Sequence, residues 1–296
     1  MNFKLKCYVQ RFFSSIPNGE KLNYLFQKNI TKTLPVSDPK FLFKVEMAVK
    51  HHDNFKAFNK VEHPSDNYYE FGAGWDLIIP IAVCHLGYDV DVIDIRKLLV
   101  NDLVVDSIER FNNSESKFPL TVVKKEPINK DLSNLKEALG LKYHAPVDAR
   151  ATKYSDNHFD FSSSTSTMEH IPPDDILKIL NETYRIMKKG GILSMDIDYI
   201  DHWAYFDSSI SYYNFLQYSP KAWAKLNPDL NYQNRLRHKD YMDIIAQTPF
   251  EVVKNNPRLP NDNQSKSLRN LSLADQYKDY SFEELEITGS EIVLRK

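Results

Sequence analysis

The sequence predicts a doubly wound α/β fold, a mostly parallel sheet covered by helices on both faces, and three observations carry the prediction. From Asn67 onward, short apolar runs of strand length alternate with longer helical patterns. The first of these strands ends in a glycine turn that leads straight into a helix. Six of the eight glycines (Gly72, Gly74, Gly87, Gly140, Gly190 and Gly191) lie between positions 72 and 191, so backbone that turns tightly or approaches something closely is concentrated there. Strands alternating with helices imply right-handed crossovers and a parallel sheet.

Taken in order, Asn67–Phe71 reads as the first strand, Gly72 to Gly74 as the turn, and Trp75 to Leu86 as an apolar helix ended by Gly87. Tyr88 to Asp94 is the second strand, with Val90 and Val92 inward. Helical patterns follow over 96–111 and 130–139, then a strand at Lys142 to Val147 and another at Phe159 to Ser164. A helix over Asp174 to Lys188 is capped by Gly190 and Gly191, and Ile192 to Ile197 is the fifth strand. Past Ile200 the rhythm breaks. Residues 201–237 carry Trp203, Tyr205, Phe206, Tyr212, Tyr213, Phe215, Tyr218, Trp223 and Tyr232, a density suited to an inserted lid or a substrate pocket. His238 to Gln247 is helical again, Phe250 to Lys254 is a strand, Glu284 to Leu294 a final strand or hairpin, and Asn255 to Ser267, with Pro257, Pro260 and four asparagines, reads as a surface loop. The expected organisation is an N-terminal helical extension over 1–60 and one domain over 61–296, with 199–237 as an acceptor-side lid or insertion.

Composition excludes several classes. With 296 residues and 42% of them apolar, the chain can bury a core. Its 38 Lys plus Arg against 40 Asp plus Glu give a net charge of -2, no field for gripping a nucleic-acid backbone. At 26% charged and 12% aromatic it is too hydrophobic for a disordered chain. The longest apolar run, Leu77 to Cys84, spans eight residues and contains Pro80, whereas a bilayer needs about 20. Two cysteines, Cys7 and Cys84, make neither a disulfide framework nor a zinc site, and a cytoplasmic location is expected. The N-terminus lacks the apolar core of a secretory signal. Up to Pro35 it holds six basic residues against Glu20 alone, which leaves open a peripheral contact with acidic lipid beside the plainer reading of a helix docked on the domain.

In an open α/β sheet, ligands bind outside the carboxyl ends of the strands. The first strand ends in Glu70-Phe-Gly72-Ala-Gly74-Trp-Asp76, where two glycines let backbone approach a ligand and the following helix offers free N–H groups. The second ends in Asp94, twenty residues beyond Gly74, a carboxylate able to accept both hydroxyls of a ribose. Together they describe an adenosine-type cofactor. A dinucleotide fingerprint wants glycine at position 77, where the chain has Leu77. Glu70 would also set a carboxylate beside a pyrophosphate, whereas the ammonium and sulfonium of S-adenosylmethionine are positive.

On these residues the stretch 67–198 resembles a class I S-adenosylmethionine-dependent methyltransferase. Glu70, Gly72 and Gly74 match the family's first motif, with Asp76 in place of its last glycine. The resemblance implies a seven-stranded Rossmann-like sheet, S-adenosylmethionine as cofactor and methyl transfer as the reaction. It also implies that Asp94 binds the ribose and that Asp148, in Val147-Asp-Ala-Arg150, binds the adenine amino group with Ala149 contributing backbone. The segment Phe159 to His170, ending in Glu169-His170, resembles the family's lining of the methyl-transfer site, and Arg185 to Ile192 its helix, turn and fifth strand. Asp201-His202, Tyr213 to Leu216 and Asn234 to Arg237 are similar to methyltransferases of bacterial surface-glycan and sugar modification, which implies a hydroxyl acceptor on a sugar or sugar-like molecule.

Methyl transfer is an in-line displacement for which alignment is worth roughly 7–11 kcal/mol, and a hydroxyl acceptor also needs a base. His202 is the first candidate, oriented by Asp201 or Asp198, and His170 the second. The plain alternative for either is a structural histidine bonded to a loop. Asp196, Asp198, Asp201 and His202 offer a metal set in principle, but none is assigned. Arg235 and Arg237 could fork onto an anionic group of the acceptor, with ordinary salt bridging as the alternative. The aromatics after His202 either stack on sugar rings or form the lid's own core, and His51-His52 and Lys124-Lys125 read as solvated surface. Two rival functions stand beside the methyltransferase: an inactive cofactor-binding partner protein, and a nicotinamide-dependent sugar dehydrogenase, which Leu77 and Glu70 disfavour. The expected partner is a small-molecule or glycan acceptor, not nucleic acid, and the oligomeric state is left open.

Overall fold

The computed structural model describes residues 2–17, 19–30, 32–113, 128–129 and 131–296. Its centre is a seven-stranded sheet of β1 (Asn67–Phe71), β2 (Asp89–Ile93), β3 (Leu141–His144), β4 (Phe159–Thr165), β5 (Met187–Asp198), β6 (Glu251–Arg258) and β7 (Gly289–Arg295), ordered β3-β2-β1-β4-β5-β7-β6. Strands β1 to β5 pair in parallel, and β7 runs antiparallel to both of its neighbours. This is the class I methyltransferase arrangement that the resemblance implies. Three helices precede the sheet, α1 (Phe3–Ser14), α2 (Gly19–Asn29) and α3 (Asp38–Phe58). The crossovers carry α4 (Ile78–His85), α5 (Asn101–Asn113), α6 (Leu135–Leu139) and α7 (Pro173–Ile186). Beyond the fifth strand come α8 (Pro220–Trp223), α9 (His238–Ile245), α10 (Asp262–Arg269) and α11 (Phe282–Glu286). No described helix is long and apolar enough to cross a membrane.

Successive residues of a strand face opposite sides, and the sheet uses this to build two cores. Tyr68, Val90, Val92, Phe161 and Ile192 pack with Phe41, Val45, Ala48 and Phe55 of α3 and with α4. Tyr69, Phe71, Leu193, Met195 and Ile197 pack with Ile176, Ile179 and Leu180 of α7 and Tyr241 and Ile245 of α9. A register shift between Phe159 and Phe161 sends those two rings to opposite faces although they are two apart.

Several boundaries differ from the sequence reading. The helix expected from Trp75 begins at Ile78, because Gly72 (φ +79°), Gly74 (φ +76°) and Leu77 (φ +51°) keep the chain in left-handed turns until then. Asp76, standing where the motif has its last glycine, is buried, accepts from the N–H of Ile78 at 3.3 Å and pairs with Lys44 of α3 at 2.6 Å. Gly190 and Gly191 do not cap a helix but lie inside β5, where the N–H of Lys60 donates to the carbonyl of Gly190 at 2.8 Å. The expected loop at 255–267 is largely ordered secondary structure. Strand β6 continues through Pro257, tolerated because β6 is an edge strand, and α10 follows. The helix expected over 130–139 is confined to Leu135–Leu139, and Lys124 and Lys125 lie outside the described residues. His51 is not surface. It is 1% exposed, its ring nitrogens lie 2.7 Å from Ser194 Oγ and 2.8 Å from Thr165 Oγ1, and burial pushes its pKa down to about 3.

The segment after β5 is a chain of short turns with a core of its own. Trp203, Tyr213, Phe215, Leu216, Trp223 and Leu226 pack against Phe3 and Cys7 of α1 and against Leu268, Tyr277 and Leu285. Most of its aromatics are therefore committed inward, while Tyr205 and Phe206 stay exposed.

At Gly190 an added Cβ would collide with the backbone of Lys60 and lie 2.8 Å from the nitrogen of Val61, on a residue already at φ +82°. Gly190→Ala is expected to cost about 2 kcal/mol or more in chemical denaturation. Wild-type stability would show that the contact between β5 and residues 60–61 is looser than described.

Candidate active site

The strand order reverses beside β1, so the loops after β1 and β4 leave the sheet in opposite directions and open a crevice. Backbone hydrogen bonds hold its rim. The N–H of Gly72 donates to the carbonyl of Ile93 at 3.0 Å, that of Val147 to Asp94 at 2.9 Å and that of Ser166 to Asp196 at 2.9 Å. Within the crevice lies a cavity of about 160 Å³ lined by Gly72, Asp94, Asp148, Ala149, Thr167 and His170 among others. A Cβ at Gly72 would collide with Thr167, so the two loops approach as closely as glycine allows.

Four of the six residues expected to bind the cofactor, Gly72, Asp94, Asp148 and Ala149, thus line one cavity, and Glu70 and Gly74 do not. Glu70 turns into the core, where it accepts from the hydroxyl of Tyr68 at 2.6 Å and burial raises its pKa to about 8. Gly74 has open space around its Cα, and Trp75 beside it lines a larger cavity of about 700 Å³ with Tyr24 and Arg96. Asp94 is 4% exposed. Burial pushes its pKa up to about 7, against the opposing hydrogen bond from the hydroxyl of Tyr143 at 3.0 Å. Asp148 is partly exposed and held below the usual carboxylate range by Arg150, which lies 2.6 Å away and also reaches Asp175 at 2.9 Å.

A second cavity, of about 560 Å³, lies at the ends of β5 and β6, lined by Phe43, Met47, Lys50, Asp198, His202, Tyr205 and Arg258 among others. Asp196 is neutralised there by Arg258 at 2.6 Å and Lys50 at 3.4 Å. His170 belongs to the first cavity and His202 to the second, and their rings stand 4.9 Å apart, so the two cavities meet at this pair. His170 Nδ1 donates to the carbonyl of Tyr232 at 2.6 Å, leaving Nε2 free to accept. His202 Nε2 lies 3.4 Å from Asp198 and 3.9 Å from Glu169.

Three sequence expectations are corrected. Asp201 does not orient His202; it is fully buried, accepting from the N–H of Trp203 at 2.9 Å and from Asn214 at 2.7 Å, and so caps the turn at 202–205. Asp198 stands beside the imidazole instead. Arg235 is 7% exposed and donates to the carbonyls of Phe215 and Tyr218 at 2.9 and 2.6 Å. Arg237 is completely buried, donating to the carbonyls of Tyr199 and Leu285 at 2.7 Å each and to that of Ile287. Arg235 Nη1 and both terminal nitrogens of Arg237 are thus taken by backbone carbonyls, and neither residue lines either cavity. Nor are Asp196, Asp198, Asp201 and His202 one ligand set. The grouping around His202 is Glu169 and His170, whose ligand atoms and its own lie within 4.8 Å of one another. The sequence reading missed Lys50 and Arg258, which α3 and β6 bring in from remote parts of the chain and which no local motif marks.

Residues 117–195 match a family of methyltransferase domains. That stretch begins after β2, so Gly72 and Asp94 enter through the geometry above and not through the match. A comparison with curated proteins finds no match. Among solved structures, the chain is similar to a SAM-dependent methyltransferase from Methanosarcina mazei at 16% identity and a TM-score of 0.43, covering 78% of this chain and 92% of that one. It is similar also to the geranyl diphosphate C-methyltransferase of Streptomyces coelicolor, at 11% identity and 0.47, covering 84% and 78%. A third similarity is to phosphoethanolamine N-methyltransferase 2 of Haemonchus contortus, at 13% identity and 0.47, covering 92% and 59%. The matched stretch runs from before β3 into β5, and it is this part of the sheet that is similar to a methyltransferase domain.

Arg237→Ala is expected to leave three buried carbonyls without donors and to lower stability by about 3 kcal/mol or more, with cofactor affinity unchanged in whatever fraction folds. A well-folded variant with weakened acceptor binding would return Arg237 to the substrate.

Proposed function

We propose that the chain transfers the methyl group of S-adenosylmethionine to a hydroxyl on a small or glycan-linked acceptor, such as a sugar. The observation that carries this reading is the meeting of two cavities at His170 and His202, one bounded by acids at successive strand ends and the other wider and lined by apolar and charged side chains together. When bound, S-adenosylmethionine supplies a methyl carbon already activated by its sulfonium.

The first cavity fits that cofactor better than a dinucleotide. Asp94 and Asp148 are acceptors for ribose hydroxyls and an adenine amino group, Ala149 offers backbone, and Ile93, Val147 and Ile179 offer apolar faces to a base. Its lining cation, Arg150, is already engaged by Asp148 and Asp175, which leaves little for a pyrophosphate. Glu70 and Gly74 act in this reading by shaping the turn from behind. The second cavity would hold the acceptor, with α3 contributing Phe43, Met47 and Lys50 and the segment after β5 contributing His202, Tyr205 and Phe206. This supports assigning acceptor selection to parts of 1–60 and 199–237. His202 would accept the hydrogen bond of the attacking hydroxyl and take its proton, and the charge of Asp198, 3.4 Å from its Nε2, would favour the protonated ring that results.

Two outcomes test the reading. A ribose donates to an ionised carboxylate, whereas free Asp94 is protonated below about pH 7, so binding favours loss of that proton. Affinity for S-adenosylmethionine should therefore fall as pH drops from 8 to 6, by up to about tenfold. Asp94→Ala should weaken binding by a factor on the order of 10 to 100 and flatten this dependence. Calorimetric titrations showing the same pH slope in both proteins would remove Asp94 from the ribose.

His202→Ala should keep cofactor affinity and lower turnover about 100-fold or more, measured as demethylated cofactor formed with a panel of sugar acceptors. Wild-type turnover would exclude His202. A protein that binds cofactor yet turns over none of a broad acceptor panel would instead be the inactive partner.

A further inference from the structure

We infer that Glu169, His170 and His202 form a divalent-cation site at the junction of the two cavities. Their ligand atoms lie within 4.8 Å of one another, and a first-row ion with ligands at about 2.1 Å holds adjacent ligands about 3.4 Å apart, so side-chain rotations that close each gap by no more than about 1.5 Å bring them onto one ion.

A second, independent observation points the same way. Glu169 is 2% exposed, and among the described residues neither of its carboxylate oxygens has a hydrogen-bond partner; His202 Nε2, facing it, has none either. A buried carboxylate left unpaired is costly. Its ion-pair partner among the described residues is His202 alone, at 3.9 Å. Asp198 adds a further negative charge 3.4 Å from the same nitrogen, and the nearby cations Lys50 and Arg258 are drawn to Asp196. Two carboxylates and two imidazoles with no Lys or Arg of their own among the described residues describe a place for a doubly charged ion.

The donor set selects the ion. Two imidazoles and one carboxylate suit Mn²⁺, Fe²⁺, Co²⁺ or Zn²⁺, whereas Mg²⁺ prefers an all-oxygen shell. With His170 exposed and His202 intermediate, one side stays open to an exogenous oxygen, as at catalytic sites with three protein ligands. The consequence for chemistry rests on the methyl-transfer reading above. With the ion present, His202 serves as a ligand instead of a base, and an acceptor hydroxyl bound at the open position is acidified by the ion. It gives its proton to water, its oxygen forms the bond to the methyl carbon as the carbon–sulfur bond breaks, and a neutral thioether leaves.

The test is a calorimetric titration of Mn²⁺, and of Co²⁺ with its visible absorption followed, into protein stripped with EDTA. The inference expects one saturable site per chain, retained in Asp94→Ala and weakened at least tenfold in both Glu169→Gln and His170→Ala. The exposed His170 provides a variant that should fold, and a cooperative thermal transition near the wild-type temperature checks that each variant is intact. No saturation by about 1 mM, or undiminished binding in both variants, overturns the site. Binding of the cofactor without binding of the metal would defeat this inference and leave the methyltransferase reading standing; the reverse result would do the opposite. Turnover that is equal with and without Mn²⁺ in EDTA-stripped protein would restore His202 as the base and overturn the catalytic role of the ion.

Discussion

Between β1 and β4 two parallel strands sit side by side while the loops that follow them turn to opposite faces, and everything proposed for this molecule sits at that divergence. A parallel sheet cannot fill the gap with its own side chains, since strand residues point to the faces and not along the axis. The backbone closes it instead. Gly72 lies against Thr167 with no room for a Cβ, and its N–H is taken by Ile93. The gap is thereby narrowed to a slot whose walls are strand ends, and the acids Asp94 and Asp148 stand on those ends.

Charge is handled differently on the two sides of this slot. Toward α3 the sheet buries polar groups as closed networks. Asn54 donates to Ser194 and to Glu291, Lys254 pairs with Glu291 at 2.8 Å, and His51 bridges Ser194 and Thr165. Asp160 is likewise fully buried and paired with Lys188 at 2.8 Å. Around Glu169 the same sheet leaves carboxylate oxygens without partners. Asp160 Oδ1 also lacks a hydrogen bond but has Lys188 at 2.8 Å, whereas Glu169 has, among the described residues, only His202 at 3.9 Å, and it stands where the two cavities join.

Much of this was legible in the residues. Alternating strand and helix patterns, with a glycine turn after the first strand, determine the topology. Glycine and acid spacing pointed to Gly72 and Asp94, and the family resemblance to Asp148 and Ala149; all four line one cavity because strand ends in a doubly wound sheet converge whatever the side chains between them do. What failed were inferences about direction. Arg235 and Arg237 have the same residue types as anion-binding forks, and only the three-dimensional course of the segment after β5 shows their guanidiniums turned onto carbonyls. Asp201 is adjacent to His202 in sequence yet points to Trp203 and Asn214. Glu70 lies on the motif but faces Tyr68. Lys50 and Arg258 were invisible because nothing in their local sequence records that α3 and β6 end beside β5.

The central claim is that the slot at the sheet's reversal holds a sulfonium nucleoside. Equilibrium titration of the purified chain with S-adenosylmethionine and, separately, with NAD tests it most directly. The account predicts one saturable site for S-adenosylmethionine, displaced by S-adenosylhomocysteine, and no competition from NAD. Saturable binding of NAD with none of S-adenosylmethionine would contradict it.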